Sequence, residues 1–453
     1  MKTIIKNGTL IFADESLNCD LVMQNGKITA IGCNLRDEAA EEVDASGKLV
    51  LPGAIDLHTH LAMPFCGTCS ADDYFSGTKA AACGGTTTVF DFAGQEAGES
   101  FSDCFKRRNA LAQTQACVDY AFHLGVTDIG GTLLGGMEEC AALGVTSFKA
   151  YMTYDFSLDD GELLRLFQKS RECGTLVALH AENKEIIRTR IAEYLAQGKV
   201  DSWYHYLSRP EFVEEEAVSR AVQIACAAEA PLYIVHLSSK GSLETVTAAR
   251  DKGLPIYAET CPQYLNFTND VYKRADGRNF VCSPPIKGQE SQNALWDGLR
   301  RGDIQTVATD HCPVQSYEKA WGDKDFTKIP NGCPGVENMY PYMLSQANRG
   351  VISFNKAVEV CASNAAKIFA CDSLKGSLAP GKDADVVVYD PNIEVTVKNE
   401  NMHGRGDYTI WEGVKLLGYP QTVYSRGKAV FEKGIFTGQQ GEGRFVPCGR
   451  IKI

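Results

Sequence analysis

The feature that most constrains this chain is a repeated alternation between residues 54 and 310. Eight short apolar runs rich in β-branched residues occur there: AIDLHTH (54–60), TTTVFDF (86–92), VDYAFHLGV (118–126), VTSFKAYM (145–152), LVALH (176–180), PLYIVH (231–236), PIYAET (255–260) and QTVATD (305–310). Between most of them lie segments of helical character, among them ADDYFSGTKAAAC, LDDGELLRLFQKSREC, RPEFVEEEAVSRAVQIACAA and SLETVTAARDKG. The third opens with Pro210 and Glu211. Proline gives up no needed N–H in a first helical turn, and acid there offsets the helix dipole. Apolar runs of this length suit strands covered on both faces. Strands alternating with helices predict a parallel sheet, and eight repeats predict a (β/α)8 barrel. An open doubly wound sheet is the rival, but no GxGxxG follows any of these strands.

Both ends of the chain have a different texture. KTIIKNGTL and CDLVMQNGKITAIG read as short strands, with Asn25-Gly26 as a hairpin turn. Strand-like runs return in DADVVVYDP and TVYSRGKAVFEKGIF. This predicts a smaller β-sandwich assembled from both termini (1–50 and 380–453) around a barrel domain at 51–379. A chain of 453 residues accommodates one large and one small domain of this kind.

In such a barrel the chemistry sits at the C-terminal ends of the strands. The first strand ends in His58-Thr59-His60, whose imidazoles are two residues apart and so face the same way. The fifth ends in His180, the sixth in His236, and the eighth in Asp310 followed by His311. A lone strand-end histidine is most often a hydrogen-bonded structural group, and His123, His205 (in a loop) and His403 are read that way. His-x-His on one strand with histidines on two others and an aspartate on a fourth is a metal-chelating constellation. Lys149, in the middle of SFKAYMTY, then acquires a meaning. An ammonium repels metal and has no lone pair, but a lysine carboxylated by CO2 is anionic and has two oxygens. The expected site holds two divalent ions, one through His58, His60, Lys149 and Asp310, the other through Lys149, His180 and His236. The bland alternative for Lys149 is a lysine that snorkels to the barrel rim.

The balance of charge narrows the partners. A net charge of −12 argues against nucleic acid and anionic membranes and suits a small neutral substrate. The N-terminal MKTIIKNGTLIFADESLN has no long apolar run, which predicts neither signal peptide nor membrane anchor. Seventeen irregularly spaced cysteines then imply a reducing compartment, the cytoplasm, without a disulfide framework. The single CxxC, Cys66 to Cys69, is read as chance or packing.

At this point the motifs become specific. They include PGAIDLHTH, SADDYFSGTKAAACGGTTTVFDFA, SFKAYMTY, LYIVHLSSKG, ETCPQYL, CSPPIKG, ATDHCP and NGCPGVEN, within a match that runs from KNGTL near the N-terminus to GRF near the C-terminus. With them the sequence resembles the dihydropyrimidinase/D-hydantoinase family of the amidohydrolase superfamily, and its wording at SFKAYMTY, DYTIWEG and GEGRF is most similar to bacterial phenylhydantoinases. The resemblance implies a TIM barrel with a terminal β-sandwich, and a binuclear zinc site with carboxylated Lys149 on the six ligands already named. It also implies three substrate contacts: Tyr154 donating to the developing oxyanion, and Ser283 and Asn331 holding the cyclic amide through their main chains. Bottom-up, CSPP and PNGCPG are only turn-rich loops. A homotetramer is likewise implied by the family, with the C-terminal GQQGEGRFVPCGRIKI offered as an arm toward a neighbour.

The expected reaction is hydrolysis of 5,6-dihydropyrimidines or 5-monosubstituted hydantoins to N-carbamoyl amino acids. A metal-bridging hydroxide would attack the ring carbonyl, and Asp310 would carry its proton to the leaving nitrogen. Dihydroorotase uses an arginine two residues after the second histidine, where this chain has Ala62. Allantoinase is the enzymatic alternative. A non-catalytic scaffold on the same fold is the other, and the intact ligand set counts against it. Cys66, where the family often has glycine, and the variable loop after Tyr154 leave the ring substituent less constrained than the ring chemistry.

Overall fold

A computed structural model describes residues 2–96, 98–127, 129, 130 and 133–451. The two ends of the tail and N-terminal segment quoted above, 452, 453 and residue 1, lie outside the described residues. Eight strands form one sheet in sequential order: β1 Ala54–Thr59, β2 Thr86–Ala93, β3 Asp119–Gly125, β4 Ser147–Tyr151, β5 Leu176–His180, β6 Leu232–Ile234, β7 Ile256–Thr260 and β8 Thr306–Val307. Every neighbouring pair is parallel. The two edges meet just beyond β1 and β8, where Thr59 bridges His311 in parallel. There the His60 N–H donates to the His311 carbonyl at 2.9 Å and the His311 N–H to the His58 carbonyl at 3.1 Å. Asp56, buried in β1, reinforces the closure by accepting from the Thr309 N–H at 3.0 Å and its hydroxyl at 2.6 Å. The expected barrel is therefore present.

Period-two alternation sorts the side chains of most strands; β1 departs from it, its pairing with β2 shifting register between Val89 and Asp91. Ile55, Leu57, Phe90, Ala121, Leu176, Ala178 and Tyr233 pack together as the barrel interior. Phe148 and Ala150 point the other way, into the layer shared with the helices; Phe148 meets Phe101 of the helix Phe101–Gln115 edge-on at 5.1 Å. Lys149, between them, is thereby aimed inward. The helices carry their own boundary signals. Asp160–Cys173 starts at an Asp159–Glu162 capping box and ends at Gly174 with φ 62°.

The termini build two further sheets. A four-stranded one joins Lys2–Lys6, Asp20–Gln24, Lys27–Gly32 and Glu41–Asp44, and a seven-stranded one combines Thr9–Ile11, Ser16–Asn18 and Leu49–Pro52 with four strands from 386 to 436. Ile5, Leu10, Leu21, Met23, Val50, Val386 and Val388 form one apolar cluster from both ends of the chain. Asn25 and Gly26 turn the expected hairpin with φ 53° and 79°, the left-handed pair that a two-residue turn requires.

The C-terminal tail lies against its own barrel. Its Val446 N–H donates to Tyr120 O, its Cys448 N–H to Gly144 O and its Ile451 N–H to Gly174 O, each at 2.8 Å. Val446, Cys448 and Ile451 join the interior cluster. The tail seals the end of the barrel opposite the strand C-termini, because apolar interior side chains and open backbone groups there need a cover. One expectation is corrected at His205, read from the sequence as a loop residue. It lies in the helix Ser202–Ser208, capped by Asp201, with its Nε2 2.9 Å from the Cys282 carbonyl oxygen.

Barrel and terminal sheets are joined by a buried charge cluster. The Lys375 ammonium lies 2.6 Å from Asp119, 3.0 Å from Asp383 and 2.7 Å from Asp385. The three carboxylates are close enough to hold a cation, and Lys375 is that cation. Asp119 would keep Arg426 at 2.9 Å and Asp383 would keep Lys27 at 2.8 Å, but Lys375→Met would leave buried Asp385 without an ion pair, which costs about 3–5 kcal/mol. The expected outcome is a matching drop in unfolding free energy in urea titrations; an unchanged midpoint would show that the cluster adds nothing to stability.

Candidate metal centre

Five strand ends bring the candidate ligands together. His58 and His60 reach the mouth from β1 and its first following residue, and both Nε2 atoms approach Asp310 Oδ1, at 3.1 and 3.0 Å. Ligand atoms of these three residues all lie within 4.8 Å of one another. His180 closes β5, and His236 follows β6 by two residues. The His236 ring stands 5.2 Å from that of His58 and 4.5 Å from that of His180. Lys149 is buried at the same depth, its Nζ 4.8 Å from the Phe92 ring centre. All six residues proposed from strand ends thus converge on one buried space.

Their polar atoms are incompletely satisfied. His60 Nδ1, His236 Nδ1 and Lys149 Nζ are buried without hydrogen-bond partners. An orphaned polar group normally costs about 1–3 kcal/mol, so three at one place call for a ligand. Two of the histidines are also oriented as metal ligands are. His58 donates from Nδ1 to Glu259 at 2.7 Å, which leaves Nε2 with the lone pair. His180 is held from Nε2 by Glu182 at 2.7 Å, which leaves Nδ1. Imidazoles with a carboxylate suit borderline divalent cations, zinc among them. The donor set fits a metal centre.

The electrostatics are mixed at His58, where burial pushes the imidazole down but Glu259 and Asp310 outweigh it and raise it, and agree with a metal site at the other groups. Burial lowers the Lys149 ammonium to about 7, against the opposing pull of Glu259 and Asp310. Burial pushes the Asp310 carboxyl up, but His58 and His60 outweigh it and hold it well below the usual carboxylate range. Burial drives His236 well down, so it stays neutral and able to ligate. Backbone strain marks the same places: Tyr154, His236 and Asp310 have φ of 69°, 39° and 53°, in the left-handed region that non-glycine residues rarely occupy.

The expected substrate contacts flank this centre. The Tyr154 ring is 5.3 Å from that of His180 and its hydroxyl lies beside Ser283. Burial pushes the Tyr154 phenol up, so it remains a donor at neutral pH. Asn331 donates from Nδ2 to the Ser283 hydroxyl at 3.0 Å, which joins the CSPP and PNG loops. Other expectations are accounted for differently. His311 turns aside to Asp72 at 3.0 Å and accepts from the Gly335 N–H. His123 is tied to Ser147 and the Leu57 carbonyl, and His403 to Glu337, as structural histidines. Cys66 and Cys69 sit exposed on a hairpin between Pro64–Phe65 and Thr68–Cys69.

Several groups around the site escaped the sequence reading. Glu259 accepts from His58 Nδ1, from the His236 N–H at 3.1 Å and from the Tyr233 hydroxyl at 2.9 Å, so one carboxylate aligns two candidate ligands. Glu182 is itself held by Arg209 at 2.7 Å. The available signal was the one Lys149 carried, a charged residue closing an apolar run in PIYAET.

With this geometry the comparisons with known proteins agree. The pattern of the amidohydrolase family matches residues 49–430. A D-hydantoinase from Streptomyces coelicolor is 41% identical over 98% of each chain, and one from Ralstonia pickettii is 40% identical over 100% of each. The crystal structure of a dihydropyrimidinase from Brevibacillus agri superposes with a TM-score of 0.98, at 38% identity and full coverage of both chains.

Proposed function

Because the chain belongs to the amidohydrolase family, we propose that it opens the ring of 5-monosubstituted hydantoins or 5,6-dihydropyrimidines, yielding N-carbamoyl amino acids. The observation that carries this reading is the convergence of six ligand-type residues, three with unsatisfied buried polar atoms, beside Tyr154, Ser283 and Asn331. On it, His58, His60 and Asp310 would hold one divalent ion and His180 and His236 a second, with Lys149, once carboxylated, as a further ligand and zinc as the metal. Bound there, the ions supply Lewis-acid polarisation of the ring carbonyl and a water ionised near neutral pH.

The chain's own groups do the rest. Ser283 and Asn331 hold the cyclic amide and set its face toward the centre. Tyr154 donates its hydroxyl to the carbonyl oxygen as that oxygen becomes anionic, a contribution of about 3–4 kcal/mol for one aligned donor. Asp310, kept ionised by its histidine neighbours, accepts the proton of the attacking water and delivers it to the leaving ring nitrogen. A neutral ring is favoured because no free cation follows β1. Ala62 stands where an arginine would hold a substrate carboxylate. Arg108, beneath that loop, is taken up by Asp91 at 2.8 Å, Leu61 O at 2.6 Å and Ala62 O at 3.1 Å.

A parallel assay of zinc-reconstituted protein on dihydrouracil, hydantoin, 5-phenylhydantoin and allantoin tests the reading. Ring opening of a hydantoin or of dihydrouracil is expected. Turnover of allantoin alone would reassign the substrate, and no turnover of any of the four with the metal sites filled would sink the proposal.

A further inference from the structure

Lys319 closes the short helix Ser316–Lys319 and its ammonium is fully buried. A buried charge is costly unless it is paired or fully hydrogen-bonded. No carboxylate is within ion-pair distance of it among the described residues. The adjacent Glu318 is engaged elsewhere, accepting from the Gln315 N–H at 2.6 Å and from the Thr68 hydroxyl on the hairpin after β1. What Lys319 does hold is backbone: Nζ donates to Val281 O at 2.8 Å and to Pro330 O at 2.7 Å.

Those two carbonyls are not arbitrary. Val281 lies two residues before Ser283, and Pro330 immediately precedes Asn331. The same two loops are joined by the Gly332 N–H to Val281 O at 2.9 Å and by Asn331 Nδ2 to Ser283 Oγ at 3.0 Å. Both of those links come from within the loops. From outside, His205 holds Cys282 O and Tyr264 holds Pro284 O, each in the first loop, whereas Lys319 reaches both loops at once. Gly332 shows how tightly the loops are fitted: with φ 144°, a Cβ there would lie 2.3 Å from Cys312 O. A methylene-thin stem with a charged, three-donor head is suited to bind two carbonyls in so narrow a space.

We propose that Lys319 is a positioning residue for substrate: by clamping Val281 O and Pro330 O it sets the spacing of the loops that carry Ser283 and Asn331, and so the fit of the cyclic amide. It touches neither the candidate ligands nor the reacting atoms. The inference rests on the proposed role of Ser283 and Asn331 in holding the ring, and its test includes a measurement that does not.

Lys319→Met keeps the length of the stem and removes the donors. In the metal-loaded enzyme it is expected to raise KM for the preferred cyclic amide at least about tenfold with kcat within about threefold, because the lost interaction serves binding and not the chemical step. Metal content should be unchanged. Hydrogen exchange without substrate should quicken in peptides covering 281–284 and 330–333 and stay as in the parent at β1 and β5. Lys319→Arg, which retains paired donors, should recover part of the KM. An unchanged KM, a loss confined to kcat or metal content, or exchange that quickens across the whole barrel would each overturn the proposal. If the methionine variant does not fold, Lys319→Gln, too short to reach both carbonyls, takes its place with the same expected KM rise and the same overturning results. If the parent enzyme opens no cyclic amide, the substrate reading fails, while the exchange measurement still decides whether Lys319 clamps the two loops.

Discussion

Lys149→Ala is expected to abolish turnover, lowering kcat by at least about 10⁴-fold, the scale seen when a member of a catalytic unit is removed. The same variant should lose metal, retaining fewer than the roughly two ions per chain that a binuclear site would hold. The argument starts from burial. Lys149 lies on the inward face of β4, without a hydrogen-bond partner and with aromatic rings on two sides. No snorkelling path exists for a side chain only 1% exposed. A lysine kept there as a cation would oppose metal binding; as a carbamate it would complete the donor set. Carbamate formation joins the neutral amine to CO2 and releases a proton, so the protonation state of the metal-free chain matters. Burial lowers the ammonium to about 7. Above that pH the amine is mostly free base and reactive, and below it mostly protonated and inert. Reactivation of metal-free protein by zinc should therefore depend on bicarbonate and rise as pH increases through about 7. Elemental analysis and reconstitution in CO2-depleted buffer check both statements. Full activity of Lys149→Ala, or reconstitution indifferent to bicarbonate, would remove the carbamate from the account.

The second large effect is expected at Asp310. Asp310→Asn keeps the shape of the side chain but cannot accept a proton, and kcat should fall by about 10³-fold, within the range for losing a positioned acid–base group. A fall in kcat without a matching rise in KM distinguishes this from a binding defect. The pH dependence carries a sign as well. The histidine neighbours depress the Asp310 carboxyl well below its usual range, so it remains ionised throughout neutral and mildly acidic solution. An acid limb in the profile near neutrality would then belong to another group, and Asp310→Asn should lower the plateau without moving that limb. A variant with parent-like kcat would show that the proton travels by another route.

Much of this was legible in the sequence for a simple reason. A parallel barrel places catalytic groups at strand ends, and strand ends are local. AIDLHTH, LVALH, PLYIVH and QTVATD each announce a strand and its terminal candidate ligand within a few residues. SFKAYMTY does the same for Lys149, since period-two alternation alone sends it to the face opposite Phe148 and Ala150. What was not legible depends on groups far apart in the chain. Glu259 reaches His58 from 201 positions away, and nothing near either residue announces the pairing. The tail after residue 442 reads as polar and extended, and only the barrel's need for an apolar floor explains why Val446, Cys448 and Ile451 are drawn in.

By itself, then, the sequence determined the order of elements, the barrel class and the identity of the residues that could bind metal, because each follows from short-range periodicity and residue chemistry. The tertiary structure alone decided the closure of β1 against the segment after β8, the tautomer imposed on His58 by Glu259, and the clamp of Lys319 on the loop at Val281. Those are distances between segments tens to hundreds of residues apart. They exist only when the whole barrel is packed, since a hydrogen bond of 2.7 Å is a statement about two places in space.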